Sequence, residues 1–172
     1  MKPNTRTLMF TLVVAIVAVV AVATSAPILA ASPAAAAGYD KLKSLVGVWE
    51  AKGPDGATLT VTYRLVAGGT AVEETSSHGN MVTVYHLDGD SVLLTHYCMA
   101  DNQPRMRAQG LSADGKSLDF KFVDATNLAK PTDMHMHALK MTFVDADHVT
   151  EEWVNSADGK EESMLMPLAR KK

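Results

Sequence analysis

The sequence predicts an all-β protein whose antiparallel strands form an up-and-down meander and close into a lipocalin-like barrel. Short runs rich in Val, Thr, Tyr, Phe and Leu follow one another along most of the chain. Asp-Gly pairs separate several of them, and Asp-Gly favours tight hairpins because glycine tolerates the positive φ that these turns require. A meander of eight to ten strands closes because closure removes its exposed edges. The predicted strands are 47–53, 57–66, 70–77, 80–87, 91–99, 104–111, 117–124, 134–144, 148–155 and 161–168.

Residues 1–38 have the pattern of a signal peptide followed by an alanine-rich cleavage region. Lys2 and Arg6 precede an apolar run from Leu8 to Ala23, and small residues follow it. This order is typical of secretory signal peptides, so we expect a periplasmic or secreted protein. If the apolar run were retained, it would leave a single membrane anchor.

Residues 39–172 are expected to form one barrel domain that begins with one or two helical turns between Tyr39 and Val46. The chain has 16 basic and 19 acidic residues and a formal charge of −3. Without a basic stripe, neither nucleic acid nor an anionic membrane is an expected partner. Cys98 is the only cysteine, so stability has to come from the packed core and not from an intramolecular disulfide.

In the predicted hairpin at 80–99, we choose the register of the two strands that keeps apolar residues on one face. A three-residue turn with a left-handed glycine in a bulge pairs Val84 with Val92. This register forms a continuous aliphatic face that also carries His86 and His96. We therefore expect both imidazoles to face the interior.

The stretch from 134 to 144 places two imidazoles one residue apart, with methionines between them. Alternation along a strand puts Met134 and Met136 on the opposite face to the histidines. A turn at 145–147 then pairs Leu139 with Trp153. The face expected to point inward comprises His135, His137, Leu139, Met141 and Phe143, with Glu151 opposite Met141.

A His-x-His pair on one strand can hold a metal ion only if other segments supply further ligands. Here His96, Cys98 or Glu151 could do so if the barrel brought them close to the pair. The simpler interpretation is that the histidines near a barrel mouth hydrogen-bond backbone or water. We therefore expect no resident cofactor, and a transition metal stays as the alternative.

Motifs for catalysis are missing from the sequence. The chain has no nucleophile elbow, phosphate loop, dinucleotide fingerprint or zinc-protease helix. Its adjacent acidic pairs split between the two faces of a strand, so neither forms a carboxylate dyad by itself. A non-catalytic function is favoured over an enzymatic one.

The segment Gly47-Val-Trp49-Glu-Ala51-Lys-Gly53 resembles the first strand of the calycin group, which includes lipocalins and fatty-acid-binding proteins. It is also similar to the opening of nitrobindin-type haem barrels. The resemblance implies a barrel of eight or ten strands with a cavity, and an arginine packed over the tryptophan, for which Arg170 is the counterpart. Only these few residues are specific, and the matching class is lipocalin-like bacterial exported proteins of unassigned function.

We expect the barrel to bind a small, largely apolar molecule in its interior. Aromatic walls would supply contact area, and polar side chains would orient a polar end of the ligand. The alternative is a haem- or metal-binding barrel that uses an inward-facing histidine. The predicted ligand-binding residues are Tyr63, His86, His96, Phe120, His135, His137, Glu151 and Trp153, and the predicted structural residues are Gly47, Trp49 and Arg170.

Overall fold

Ten antiparallel strands form one closed barrel in the computed structural model, which describes residues 31–53 and 56–172. Neighbours in the sheet follow the order of the chain, and the first strand pairs with the last. The predicted all-β meander closing into a barrel is therefore confirmed. The elements are α1 (Pro33–Ser44), β1 (Gly47–Lys52), β2 (Thr58–Val66), β3 (Ala71–Ser76), β4 (Val82–Asp88), β5 (Ser91–Tyr97), β6 (Gln103–Ala108), β7 (Ser117–Thr126), β8 (His135–Phe143), β9 (His148–Ala157) and β10 (Lys160–Arg170).

All ten predicted strands are present, and only their ends differ from the expected bounds. Alternation sorts their side chains between interior and exterior. On β9, for example, Val149, Glu151 and Trp153 are buried, and the residues between them are less so. The largest fully buried apolar and aromatic side chains form one core cluster. Burial of each such side chain stabilises the fold by roughly 1.5–3 kcal/mol. These side chains include Trp49, Tyr63, Tyr85, Phe120, Leu94, Met106 and Leu118.

The helix before the barrel is longer than predicted and begins earlier. Helix α1 starts at Pro33 because Ser32 caps it, accepting a hydrogen bond from the backbone of Ala35 at 3.2 Å. Residues 33–38 therefore belong to α1, whereas the basic start and apolar run of the predicted signal segment lie outside the described residues. Within residues 31–53 and 56–172, no helix is long and apolar enough to cross a membrane.

Helix α1 covers one end of the barrel. Its buried residues include Tyr39 and Leu42. Ala34 accepts a hydrogen bond from the backbone of Leu111 at 2.9 Å. A side chain at Gly110 would come within 2.4 Å of the Ala34 carbonyl carbon, so only glycine allows this close approach. This end of the barrel is therefore closed.

Arg170 lies over the ring of Trp49, 4.3 Å from its centroid, at the same closed end. The guanidinium also donates to the carbonyl oxygens of Ser44 and Val46, at 2.9 and 3.0 Å. The indole of Trp49 donates to the carbonyl oxygen of Leu45 at 2.6 Å. This arginine-over-tryptophan contact is the one that the resemblance to calycins implies, and the ten-stranded barrel is compatible with a lipocalin-like fold.

The register predicted for the hairpin of β4 and β5 is wrong. Asp88 pairs with Ser91, so the turn has two residues and not three. Tyr85 and not Val84 then faces the interior, where its ring packs 5.7 Å from Phe120. The prediction followed aliphatic residues, but burying the larger aromatic ring removes more apolar surface from water.

The pairing predicted for β8 and β9 is confirmed over most of its length. Leu139 lies opposite Trp153, and Met141 opposite Glu151. An irregularity between residues 136 and 138 shifts the register near the start of β8, where Met136 lies opposite Asn155. The shift brings Met136 into the interior wall, so its predicted outward orientation is wrong.

Candidate functional site

The barrel is hollow at the end opposite α1. A cavity of about 740 Å³ lies there, and residues of the loops that follow β1 and β3 border its mouth. Methionines dominate the apolar part of its wall, and a smaller polar part lies deeper. The apolar side chains include Leu59, Met81, Met136, Trp153, Met164 and Met166, and the polar ones at the inner end are Glu74, Thr83 and His96.

His96 is the most unusual residue of the wall. Its side chain is 3% exposed, and Nδ1 lies 2.9 Å from Oγ1 of Thr83. The other ring nitrogen, Nε2, is one of two buried side-chain polar atoms without a hydrogen-bond partner among the described residues. The ring also packs against Trp153, with centroids 4.9 Å apart. Burial lowers the pKa of His96 to about 4, so the imidazole is neutral at neutral pH.

Two buried carboxyl groups lie in the same interior as this histidine. Glu151 is 0% exposed and accepts hydrogen bonds from the hydroxyl of Tyr63 and, at 2.9 Å, from the indole of Trp153. Glu74 is 4% exposed and accepts from the hydroxyl of Tyr85. Of the two, Glu74 forms part of the cavity wall.

Burial raises the pKa of both carboxyl groups because water no longer solvates their charged forms. The negative charge of Glu151 raises the pKa of Glu74 further, while hydrogen bonds from Tyr85 and Tyr63 lower it in part. No lysine or arginine is among the buried residues of the described chain. The two acids therefore have no cationic partner and favour sharing at least one proton.

The tyrosines of this network act as hydrogen-bond donors. Burial raises the pKa of Tyr63 and of Tyr85 well above the usual value, and the neighbouring carboxyl groups raise both further. Both hydroxyls therefore keep their protons over the physiological pH range. They hold Glu74 and Glu151 in fixed orientations under the cavity.

Four of the predicted site residues meet in space: Tyr63, His96, Glu151 and Trp153. Phe120 lies deeper, in the core beside Tyr85 and outside the cavity wall. Glu74 is a site residue that the sequence pattern did not predict, since Glu73 and Glu74 are adjacent and only the strand register decides which one faces inward. Glu74 pairs with Tyr63, which shares its interior face.

His135 and His137, at the start of β8, form a cluster with Phe122 that is separate from the cavity wall. The ring of Phe122 lies 4.8 Å from that of His135 and 4.9 Å from that of His137. His135 Nδ1 also lies 2.7 Å from the carbonyl oxygen of Asp133, and Nε2 of His137 lies 3.7 Å from Glu161. Neither histidine is among the residues that line the cavity. His135 is itself buried, at 4% exposed, and the irregularity in β8 sets this cluster apart from the cavity wall, so the shared inner face of both histidines with Glu151 stays a prediction.

His86 lies on the opposite sheet face to His96. It pairs with Leu93, one position from the Tyr85–Leu94 pair and three from the Thr83–His96 pair, and an odd number of positions along a strand changes the face. The prediction that both imidazoles face the interior is wrong for His86. Across the described ranges, no group of three or more His, Cys, Asp or Glu side chains is arranged to hold a metal ion.

Comparison with known protein families and with curated protein sequences gives no match for this chain in either set.

Proposed function

We propose that the barrel binds one small, largely apolar molecule in its cavity without catalysing a reaction. We further propose that the protein is a lipocalin-like barrel exported to the periplasm or secreted, since its first residues have the signal-peptide pattern. A volume of about 740 Å³ is within the range of roughly 300–1,000 Å³ that is usual for small-molecule sites.

The observation that carries this proposal is the unpartnered Nε2 of His96 in the wall of an otherwise mainly apolar cavity. A buried polar atom without a partner costs roughly 1–3 kcal/mol. A ligand with a polar end would supply the missing hydrogen bond while its apolar part contacts the wall. The site thus has the usual composition of a binding pocket, with broad apolar contact and a few fixed polar groups.

The methionines of the wall can adapt to apolar ligands of different shapes. Met136, Met164 and Met166 are unbranched and have three rotatable bonds in each side chain, so they can fill irregular gaps around a guest. Trp153 adds a large, flat apolar surface beside His96. We therefore expect selectivity for the polar end of the ligand to exceed selectivity for its apolar part.

Binding of the uncharged fluorescent dye Nile red tests the proposal. The processed protein should bind about one dye per chain with enhanced fluorescence, because the dye leaves water for an apolar wall. Met166→Trp should weaken binding at least roughly tenfold by filling the cavity, in line with the loss of several buried methylene contacts. Val144→Trp is the matched control, since Val144 is 62% exposed in the loop beside the closed end.

Equal dye affinity in Met166→Trp and Val144→Trp, with both variants folded by circular dichroism, would contradict binding inside the barrel. Enhanced fluorescence that both variants keep at the wild-type level would point to dye on the surface. Native mass spectrometry of the protein from its own host gives a second measurement, with extra small-molecule mass as the expected result.

A haem-binding barrel is the alternative function, and the same atom favours it. A neutral imidazole with a free Nε2 is the form that ligates iron, and His96 is the one histidine that lines the deep part of the cavity in the described chain. This alternative predicts a Soret band in the protein from its own host and loss of that band in His96→Leu. A colourless protein that binds Nile red would support the apolar-ligand function instead.

A further inference from the structure

The inner end of the cavity lies beside two buried acids that have no buried basic partner in the described chain. Glu74 and Glu151 are buried acids, and the buried residues of the described chain include no lysine or arginine to pair with them. Lys52, the basic residue of the cavity lining, is exposed at the mouth and donates to Thr58 at 2.9 Å. Buried charges in proteins are usually paired, so this imbalance calls for either a proton or a cation.

We propose that the ligand is an apolar amine, and that its ammonium group is held at the inner end of the cavity by the carboxylate of Glu74 and by Nε2 of His96. This inference deepens the proposed function and rests on it. It names the polar end of the ligand, which the size and apolar character of the cavity leave open.

The strand register places the two acceptors on either side of Thr83. Glu74 pairs with Thr83 across β3 and β4, and Thr83 pairs with His96 across β4 and β5. All three side chains belong to the cavity wall. Glu74 and His96 therefore flank Thr83 on neighbouring strands of the same interior face, and the proposed ammonium site lies between them.

The hydrogen-bond chemistry at this site suits a donor. When Nδ1–H of His96 donates to Oγ1 of Thr83, Nε2 presents a lone pair and can only accept. Glu74, once ionised, is also an acceptor, and one of its oxygens already receives the hydroxyl of Tyr85. An ammonium group carries up to three N–H donors and a positive charge, and it matches both acceptors.

A carboxylate ligand does not fit this end of the cavity. Its charge would approach Glu74, with Glu151 behind it, and no buried cation of the described chain would offset the repulsion. An alcohol could hydrogen-bond to His96 but would leave the acids without a counter-charge. The order of affinity expected from the site is therefore amine, then alcohol, then carboxylate.

Binding of an amine should release a proton. Without a ligand, burial and the charge of Glu151 raise the pKa of Glu74, which favours the protonated carboxyl group. The incoming ammonium group stabilises the carboxylate, and the proton of Glu74 passes to the buffer. The other titratable groups facing this site are Glu151 on β9, Tyr63 on β2, Tyr85 on β4 and His96 on β5. Both tyrosines stay protonated and His96 stays neutral at pH 7.

Calorimetric titration with n-decylamine, n-decanol and n-decanoate tests the inference on the full processed protein. The three probes have the same chain length and differ only in the polar end. Decylamine should bind roughly tenfold or more tightly than decanol, since a charge-assisted hydrogen bond is about twice as strong as a neutral one. Titrations in two buffers of different ionisation enthalpy should show more proton release per decylamine than per decanol, because only the ammonium group favours the carboxylate of Glu74.

Glu74→Gln should lower the affinity for decylamine roughly tenfold and change that for decanol by less than about threefold, because glutamine cannot supply a counter-charge. Glu73→Gln is the matched control. Glu73 is the neighbouring residue of the same strand, lies on the outer face, and pairs with Arg64. This control should bind all three probes as the wild type does.

Decanoate binding as tightly as decylamine, or an unchanged decylamine affinity in Glu74→Gln, would overturn the amine inference and leave the apolar-ligand function standing. Binding of none of the three probes would overturn both. If Glu74→Gln fails to fold, the wild type alone provides the test: decanol or decanoate binding as tightly as decylamine, or decylamine releasing no more protons than decanol, would contradict the inference.

Discussion

Tyr63 on β2 donates a hydrogen bond to Glu151 on β9, across the interior of the barrel. The two residues are separated by 88 positions in the chain. Tyr85 and Glu74 make a similar contact between neighbouring strands. The floor of the cavity is therefore a connected polar network, and its fixed geometry depends on strands from both halves of the chain.

Tyr63→Phe should destabilise the barrel by roughly 1–3 kcal/mol, because Oε1 of Glu151 loses its donor while it stays buried. The free energy of unfolding in urea measures the effect. Tyr97→Phe is the matched control, since Tyr97 is 51% exposed, and it should change stability by less than about 0.5 kcal/mol. Equal effects in the two variants would show that the Tyr63 hydroxyl contributes nothing specific.

Glu74→Gln should make the stability of the barrel less sensitive to rising pH. The pKa of Glu74 is raised in the folded state, so the folded protein holds a proton that the unfolded chain releases above its usual value of 4.5. The stability associated with this group is fully present below that value and is lost as the pH rises towards the folded pKa. Each pH unit between the two values costs about 1.4 kcal/mol.

The measurement is the free energy of unfolding of both proteins at a series of pH values from about 4.5 to 8. Subtracting the two curves removes the contribution of every other titrating group that the substitution leaves unchanged. The difference should grow with pH in favour of Glu74→Gln. A difference that is constant over the range would mean that Glu74 titrates alike in the folded and unfolded chains.

Arg170→Met should cost roughly 1–3 kcal/mol of stability. The variant keeps apolar contact with Trp49 but loses the cation over its ring and the hydrogen bonds to Ser44 and Val46. Urea unfolding measures the change. Arg64→Met is the control, because Arg64 is 61% exposed and its ion pair with Glu73 lies at the surface, where such pairs contribute about 0–1 kcal/mol.

The sequence predicted the barrel well because its signals are local. Turn residues and alternating runs located all ten strands, and the pairing of Leu139 with Trp153 followed from a short turn. A hairpin register is less secure, since Val84 and Tyr85 compete for the same interior place. There the choice depends on what lies across the core, in this case Phe120.

The candidate site was only partly predictable. Glu151 and Trp153 followed from the register of one hairpin, but their meeting with Tyr63 depends on barrel closure, which no local pattern encodes. Glu74 was missed because a pair of adjacent acids gives no sign of which one is inside. The start of β8 was misjudged because an irregular pairing at 136–138 breaks the period of two on which the prediction relied.

His96→Gln should reduce the loss of stability in acid. The folded pKa of His96 is about 4, below its usual value of 6.5, because burial disfavours the charged ring. The stability linked to the neutral ring is present above 6.5 and is lost as the pH falls towards 4, an effect of up to about 3 kcal/mol. Glutamine does not titrate and can still hydrogen-bond to Thr83.

The free energy of unfolding should therefore fall less between pH 7 and pH 4 in the variant than in the wild type. The free energy of unfolding at pH 8 is the reference for each protein, because the histidine of the wild type and the glutamine of the variant are both neutral there. A parallel decline of the two proteins in acid would show that protonation of His96 is not part of the acid sensitivity, and it would also weaken the assignment of a neutral, accepting Nε2 to the cavity.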